Sequence, residues 1–208
     1  MKIFHQIKAR LAPKTGLYKY SNYEEYKQAQ IDGNLRKLDC VWSSNTNIEM
    51  LTEYIKQNVP NIKFGICHGT RRGEEQALFR KLLNIEVIGT EISHTATQFP
   101  HTIEWDFHNV KDEWINNVDF IYSNSFDHSY NPEKCLDAWM SCIAPNGICI
   151  LEWTRSHAVK TKTDPFGANK KTYEKLISKK YRIKEILSGG ITGKDKDQTA
   201  VFFIVTHK

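Results

Sequence analysis

The sequence predicts an α/β fold: a mostly parallel sheet of about seven strands, helices on both faces, and an antiparallel hairpin at the carboxyl end. Three observations carry this. Between Ile62 and Asp106 an apolar run (Ile62, Phe64, Ile66) enters a glycine-containing loop, a helix-like run follows over Glu74–Leu83, and a second apolar run, Val87-Ile88-Gly89-Thr90, ends on Glu91. Two more apolar runs, Val118–Tyr122 and Ile148–Leu151, flank a segment whose Leu136, Trp139, Met140 and Ile143 fall on one helical face. Finally, Tyr181–Leu187 and Thr199–Thr206 read as strands joined by SGGITGKDKDQ, a Gly-rich charged loop suited to an antiparallel pair. Strand, glycine turn, helix and a strand with a terminal carboxylate is the arrangement that holds a nucleotide or nucleoside at the carboxyl edge of a parallel sheet.

Taken in order, Ile3, Ile7 and Leu11 predict a short basic amphipathic helix ending before Pro13, packed on the domain, with a membrane-surface or targeting role as the alternative. Ser21 with Glu24 and Glu25 predicts a capped helix that runs to about Ile31 and breaks at Asp32-Gly33. Asn45 or Asn47 caps a second helix, Ile48–Gln57, with Ile48, Leu51 and Ile55 on its buried side. Trp42 between them reads as core, a lid over a ligand being the alternative. Residues 1–60 form a helical extension that contributes substrate cover, and 61–208 the ligand-binding domain. Within the latter, Ile103-Glu104-Trp105 is a third strand ending on Asp106. Pro132 suits the first turn of a helix over Glu133–Ile143, and Pro145-Asn146-Gly147 turns into a strand ending at Glu152. Residues 154–169 are a polar, lid-like loop, and Asn169–Lys179 is a helix.

Composition removes several classes. No run approaches the roughly 18 apolar residues of a membrane span, and MKIFHQIKAR lacks the apolar core of a secretory signal. The five cysteines, Cys40, Cys67, Cys135, Cys142 and Cys149, make no CxxC pair. Neither a disulfide framework nor a metal site is expected, and the reducing cytoplasm is the expected compartment. The formal net charge of +5 is uneven: residues 1–23 hold Lys2, Lys8, Arg10, Lys14 and Lys19 without an acid, and 155–184 hold ten bases against two acids. Solvated helix faces explain such runs, and an anionic partner is the alternative.

The order of these elements resembles the class I S-adenosylmethionine (SAM)-dependent methyltransferases, in particular the type 11-like small-molecule enzymes. SNSFDHSYNPEKCLDAWMSCIAPNGICILEW is similar to that family's later motifs: strand four, a loop, a helix, then its "kPgG" turn, here APNG, into strand five. With Glu91 and Asp106 the resemblance covers roughly 62–152, and the hairpin extends it to 208. It implies a Rossmann-like sheet, a SAM-binding domain over 61–208 and SAM as cofactor. By the same resemblance, Glu91 bonds both ribose hydroxyls, Asp106 approaches the adenine amino group, the Phe107 amide meets a ring nitrogen, and Ile92 packs on the adenine face. Ser123, Asn124 and Phe126 line the floor beneath the methionine part.

The glycine loop departs from the family pattern of an acid, one apolar residue and G-x-G-x-G. Here Gly65, Ile66, Cys67, His68, Gly69, Thr70 and Arg71 occupy those positions. Cys67, His68, Gly69, Thr70 and Arg71 are expected along the cofactor, but the carboxylate that would meet the SAM ammonium is missing at Gly65. Arg71 or Arg72 can face the methionine carboxylate. A dinucleotide is the competing ligand, yet GxGxxG is absent and the hairpin does not suit that fold; no GxxxxGK[ST] occurs either.

Methyl transfer from a sulfonium is an in-line displacement in which positioning dominates, and a base is needed only if the acceptor loses a proton. His128 is the first candidate base, since imidazole titrates near neutrality; Asp127, Glu152, Tyr130 and His157 are further ones. The expected acceptor is a small molecule or saccharide. The alternatives are RNA methylation along the basic segments 1–23 and 155–184, and a non-catalytic SAM-binding scaffold. The (D/N)PP(Y/F/W) signature of base-amine methylation is absent, because strand four runs into SNSF.

Overall fold

The computed structural model describes residues 15–193 and 195–208, and the helix expected over Ile3–Leu11 lies outside them. In chain order the elements are β1 (Gly16–Leu17), α1 (Tyr23–Arg36), α2 (Asn45–Asn58), β2 (Phe64–His68), α3 (Glu74–Leu83), β3 (Glu86–Glu91), β4 (Thr102–Glu104), β5 (Val118–Ser123), α4 (Pro132–Cys142), β6 (Ile143–Trp153), β7 (Phe166–Gly167), α5 (Lys170–Ser178), β8 (Arg182–Thr192) and β9 (Gln198–Thr206). One seven-stranded sheet runs β4-β3-β2-β5-β6-β9-β8. Its first five strands are parallel, and β9 is antiparallel to both β6 and β8. Strand order reverses beside β2, whose neighbours are β3 and β5, so a crevice opens at the carboxyl ends of these strands.

Strands buried on both faces read as continuous apolar runs, and their two-residue period divides each run between two cores. Ile66, Ile121, Cys149, Leu151, Phe203 and Val205 point to α4 and α5, against Trp139, Tyr173 and Ile177. Cys67, Phe120, Tyr122, Ile148, Ile150, Phe202 and Ile204 point the other way, to Ile48, Leu51 and Ile55 of α2 and Phe79 of α3. Each large side chain so buried contributes about 1.5–3 kcal/mol of transfer free energy. The two layers therefore clamp the sheet whose edge carries the crevice.

Several boundaries differ from expectation for identifiable reasons. Asn22, not Ser21, caps α1 by accepting from the Glu25 amide, while the Glu25 carboxylate accepts from Ser21 N. The helix continues through Asp32-Gly33 to Arg36, because Gly33 sits where the chain after β6 crosses: a Cβ there would meet Thr163 Cγ2 at 3.0 Å. Helix α2 begins at Asn45, and Asn47 is no cap; its side chain accepts from Gly190 N at 2.6 Å, tying α2 to β8. The APNG turn is absorbed in β6, where the pairing with β5 shifts register between Val118 and Phe120. The hairpin strand β8 runs on to Thr192, shortening the expected loop. The polar loop after β6 holds a 3-10 turn, Arg155–Ala158, and β7, which pairs antiparallel with β1.

Gly65 is the position of the family's missing carboxylate, and packing excludes one: a Cβ there would lie 2.3 Å from the Phe120 ring. Restoring the acid, Gly65→Asp, would overpack the core and bury an unpaired charge, a cost of several kcal/mol. The melting temperature is expected to fall by about 10 °C or more, measured by thermal unfolding followed by circular dichroism.

Candidate functional site

The crevice is organised by the loop Gly69–Gly73 that follows β2. Gly69 N and Thr70 N both donate to Thr90 O, at 2.8 and 3.1 Å, and Arg71 N donates to Glu91 Oε2 at 3.1 Å. Gly69 has φ +73°, and a Cβ on it would stand 2.6 Å from Ser125 Cβ, so the loop after β5 closes directly on it. Arg71, at the family's third glycine position, keeps a left-handed backbone (φ +46°) without being glycine. Such a residue costs of order 1 kcal/mol or more and persists because its amide is held by Glu91. Its guanidinium stacks over Trp42 at 4.4 Å and donates to Cys40 O.

Two cavities meet at Gly69, Arg71, Ser125 and His128. The smaller, of about 40 Å³, is lined by Glu91, Ile92, Asp106 and Phe107 from the sheet edge and by Tyr26, Gln30 and Asn34 from α1. Glu91 accepts backbone N–H bonds from Arg71 and Ser93, one on each oxygen. A carboxylate offers about four acceptor sites, so two remain for a ligand. Burial raises the Glu91 pKa, and the Ser93 amide and the Arg71 charge oppose it. Asp106 is more committed: Oδ1 accepts from His108 N and pairs with its Nδ1 at 2.7 Å, and Oδ2 accepts from Tyr23 Oη at 2.7 Å. The His108 ring continues to Ser129 Oγ, also at 2.7 Å.

The larger cavity, of about 160 Å³, lies between the loops after β2, β5 and β6, and its wall holds five acids alongside Lys37, Arg71, Arg72 and two histidines. Burial pushes the Glu75 carboxyl up to about 7; one oxygen is 3.4 Å from Asn124 Nδ2 and the other has no partner. Burial likewise pushes Asp127 up to about 7, and its Oδ1 has no partner. Glu152, raised by burial, accepts from Tyr122 Oη at 2.6 Å. Burial pushes the His157 imidazole down to about 4. His128 stands with Nδ1 2.9 Å from Gln30 Oε1 and Nε2 3.3 Å from Asp164 Oδ1.

Of the residues expected along the cofactor, Gly69, Arg71, Glu91, Ile92, Asp106 and Phe107 line the smaller cavity, and Thr70 and Asn124 the larger. Cys67, His68, Ser123 and Phe126 line neither. Cys67 packs in the α2–α3 core. His68 stacks on Trp139 at 4.8 Å with Nδ1 2.8 Å from Thr90 Oγ1, and burial pushes its pKa down to about 3. Ser123 Oγ braces the strand end, donating to His68 O and accepting from Ser125 N. Phe126 packs against Trp139, Phe166 and Tyr173. In each case the strand period or the tight turn after β5 aims the side chain inward. The reverse holds for Trp42, expected in the core: it is half-buried at the cavity mouth beneath Arg71 and Lys37. The candidate bases His128, Asp127, Glu152 and His157 all line the larger cavity; Tyr130 does not, stacking on Tyr26 and His108. Glu75, Gln30 and Tyr23 escaped the sequence reading; Asp164 opens the run Asp164–Ala168, which reads there as a turn with substrate contact secondary. Glu75 looks there like its exposed neighbour Glu74, two acids favoured at any helix amino end.

No family model and no curated protein matches the sequence. Solved structures do match in fold. The Burkholderia thailandensis 1,6-didemethyltoxoflavin-N1-methyltransferase, determined with 1,6-didemethyltoxoflavin and S-adenosylhomocysteine, superposes with a TM-score of 0.69 over 98% of each chain at 10% identity. The geranyl diphosphate C-methyltransferase of Streptomyces coelicolor A3(2), with Mg2+, geranyl diphosphate and S-adenosyl-L-homocysteine, gives 0.58 over 77% of each chain at 9% identity. The PH0226 protein of Pyrococcus horikoshii OT3 gives 0.59 over 92% of this chain and all of its own, at 13% identity. On these superpositions the chain, with its five parallel strands and antiparallel β9, has the fold of the class I SAM-dependent methyltransferases.

Proposed function

We propose that the chain is a SAM-dependent methyltransferase acting on a small-molecule acceptor, saccharides included. The observation that carries this is Glu91: a buried carboxylate at the switch point, fixed by two backbone amides, with acceptor sites left for a vicinal diol. In this reading Ile92 covers one adenine face, the Phe107 amide meets a ring nitrogen, and Asp106 shares its Oδ2 between Tyr23 and the adenine amino group. Helix α1, with Tyr26 and Gln30 over the smaller cavity, acts as the cover that the 1–60 extension provides.

The zwitterionic end of SAM needs a partner for each charge. Glu75 takes the ammonium in place of the carboxylate that Phe120 excludes from Gly65, and Arg71, on the boundary of both cavities, takes the carboxylate. The acceptor enters the larger cavity. Bound there, SAM would supply a sulfonium methyl for in-line transfer, the S–CH3 bond breaking as the bond to the acceptor nucleophile forms and S-adenosylhomocysteine being released. Where the nucleophile carries a proton, Glu152 receives it. Positioning, desolvation and the removal of sulfonium charge supply the rate.

A small acceptor is supported by the small molecules for which the similar enzymes are named, 1,6-didemethyltoxoflavin and geranyl diphosphate. It is also supported by the basic segment 155–184, which an RNA-binding reading would need free. Lys162 pairs with Glu25, Lys179 with Glu133, and Lys180 with Asp137, which commits three of the segment's ten bases to pairs within the fold.

Four outcomes test the reading. Calorimetric titration should show SAM binding that Glu91→Ala weakens at least tenfold, since hydrogen bonds to a charged acceptor contribute about 1.5–3 kcal/mol each; absence of SAM binding refutes the enzyme. Affinity should rise between pH 6 and 8 as Glu75 ionises, and Glu75→Gln should flatten that rise. The same variant should melt a few degrees higher than the parent at pH 8 without ligand. The sign follows from linkage: a carboxyl raised to about 7 in the fold, against 4.5 unfolded, stabilises fully below 4.5 and loses that contribution as pH climbs through 7. Lastly, Glu152→Gln keeps a partner for Tyr122 and should hold SAM affinity within about twofold while lowering turnover of a protonated acceptor about a hundredfold, the usual worth of a general base.

A further inference from the structure

We propose that Asp127, His128 and Asp164 form a divalent-cation site in the larger cavity, one that receives an acceptor chelating through two neighbouring oxygens. Asp127 and His128 lie on the 3-10 turn after β5, Asp164 on the polar loop after β6, and one ligand atom from each falls within 4.8 Å of the others. The case rests on the partners these atoms have and lack.

The orientation of His128 follows from its neighbours. Gln30 Nε2 donates to Thr163 O at 3.0 Å, which leaves Gln30 Oε1 facing His128 as an acceptor. His128 Nδ1 therefore donates to it, and the other nitrogen, Nε2, points at Asp164 Oδ1, 3.3 Å away. Two acceptors cannot bond each other, so a positive charge belongs at that corner, either a proton or a metal ion. A separation of 3.3 Å is what two ligands at about 2.1 Å from one metal present when they subtend roughly 100°. An imidazole whose remote N–H is anchored to an oxygen is also the usual support for a metal-binding histidine. Asp164 is held in turn, its Oδ2 accepting from Thr161 Oγ1 at 2.7 Å.

A second, independent observation points to a cation. Asp127 is 6% exposed, and its Oδ1 has no hydrogen-bond partner. Facing it is His157, 8% exposed, whose Nε2 stands 3.9 Å from that oxygen, beyond bonding reach, and whose Nδ1 also has no partner. A buried carboxylate oxygen without a donor is costly, and a cation relieves it. Two carboxylates and one imidazole suit Mn2+, Mg2+, Fe2+ or Zn2+. An octahedral ion held by three protein atoms leaves up to three positions for the oxygens of a hydroxy-carbonyl, catechol or diphosphate. An acceptor hydroxyl bound there would be more acidic, which favours its attack on the methyl group. The acceptor class rests on the methyl-transfer reading; the cation site does not.

The test is Mn2+ titration of the whole chain, followed by loss of the free-ion electron paramagnetic resonance signal. One saturable site is expected, with affinity weakened at least tenfold by Asp164→Asn and by His128→Gln. Both positions are partly exposed, and melting curves verify that each variant folds. SAM affinity, measured alongside, should stay within about twofold in Asp164→Asn, since none of the SAM contacts proposed above, at Glu75, Arg71, Glu91, Ile92, Asp106 and Phe107, involves that side chain. Lack of saturable Mn2+ binding up to about 1 mM, the weak end for a protein cation site, assigns the corner to a proton and overturns the proposal. So does binding that neither substitution weakens. Mn2+ binding without SAM binding would sink the methyltransferase reading and leave the cation site standing.

Discussion

Three backbone N–H bonds at the carboxyl end of β3 hold the site together. Gly69 and Thr70 donate to the Thr90 carbonyl and Arg71 to the Glu91 carboxylate, so the loop leaving β2 is tied to the neighbouring parallel strand. That register is set by the β2–β3 ladder, in which His68 opposes Thr90. Once the loop is tied there, the start of α3 is placed, Glu75 is carried under Asn124, and Arg71 is held between the two cavities. It also explains how the loop keeps its path with only one of the three glycines in the family pattern. The Arg71 backbone stays left-handed under the pull of Glu91, and Gly69 alone sits too close to Ser125 for a side chain.

The same tie concentrates buried charge. Glu75, Glu91, Asp127 and Glu152 all have pKa values raised by burial, and His157 is held neutral by it. Taking such groups out of water without full hydrogen bonding lowers stability. The two apolar layers around Trp139 and Phe79 make that tolerable. Desolvated groups waiting for a partner distinguish a ligand cavity from an ordinary gap between loops.

Much of the fold was legible in the chain. The runs Val118–Tyr122 and Ile148–Leu151, the helix Glu74–Leu83 and the carboxylates Glu91 and Asp106 depend on short-range periodicity and on strand ends, both of which sequence records directly. Boundaries failed where a distant segment intervened. Gly33 reads as a helix breaker until Thr163 is seen packed on it, and Asn47 reads as a cap until it is seen bound to Gly190. Cys67 and His68 followed the family's glycine positions on paper, yet the alternation of a doubly buried strand sends both into the cores.

The sequence by itself determined the sheet, its antiparallel ending and the acid that closes β3, because each is written in the spacing of neighbouring residues. Only the tertiary structure decided which polar side chains face one another. Glu75 is distinguished from Glu74 by burial, and Asp164 meets His128 across loops that β5 and β6 bring side by side. The amide of Gln30 orients an imidazole ninety-eight residues away in the chain. Convergence of that kind depends on distances and desolvation that exist only once the sheet is assembled.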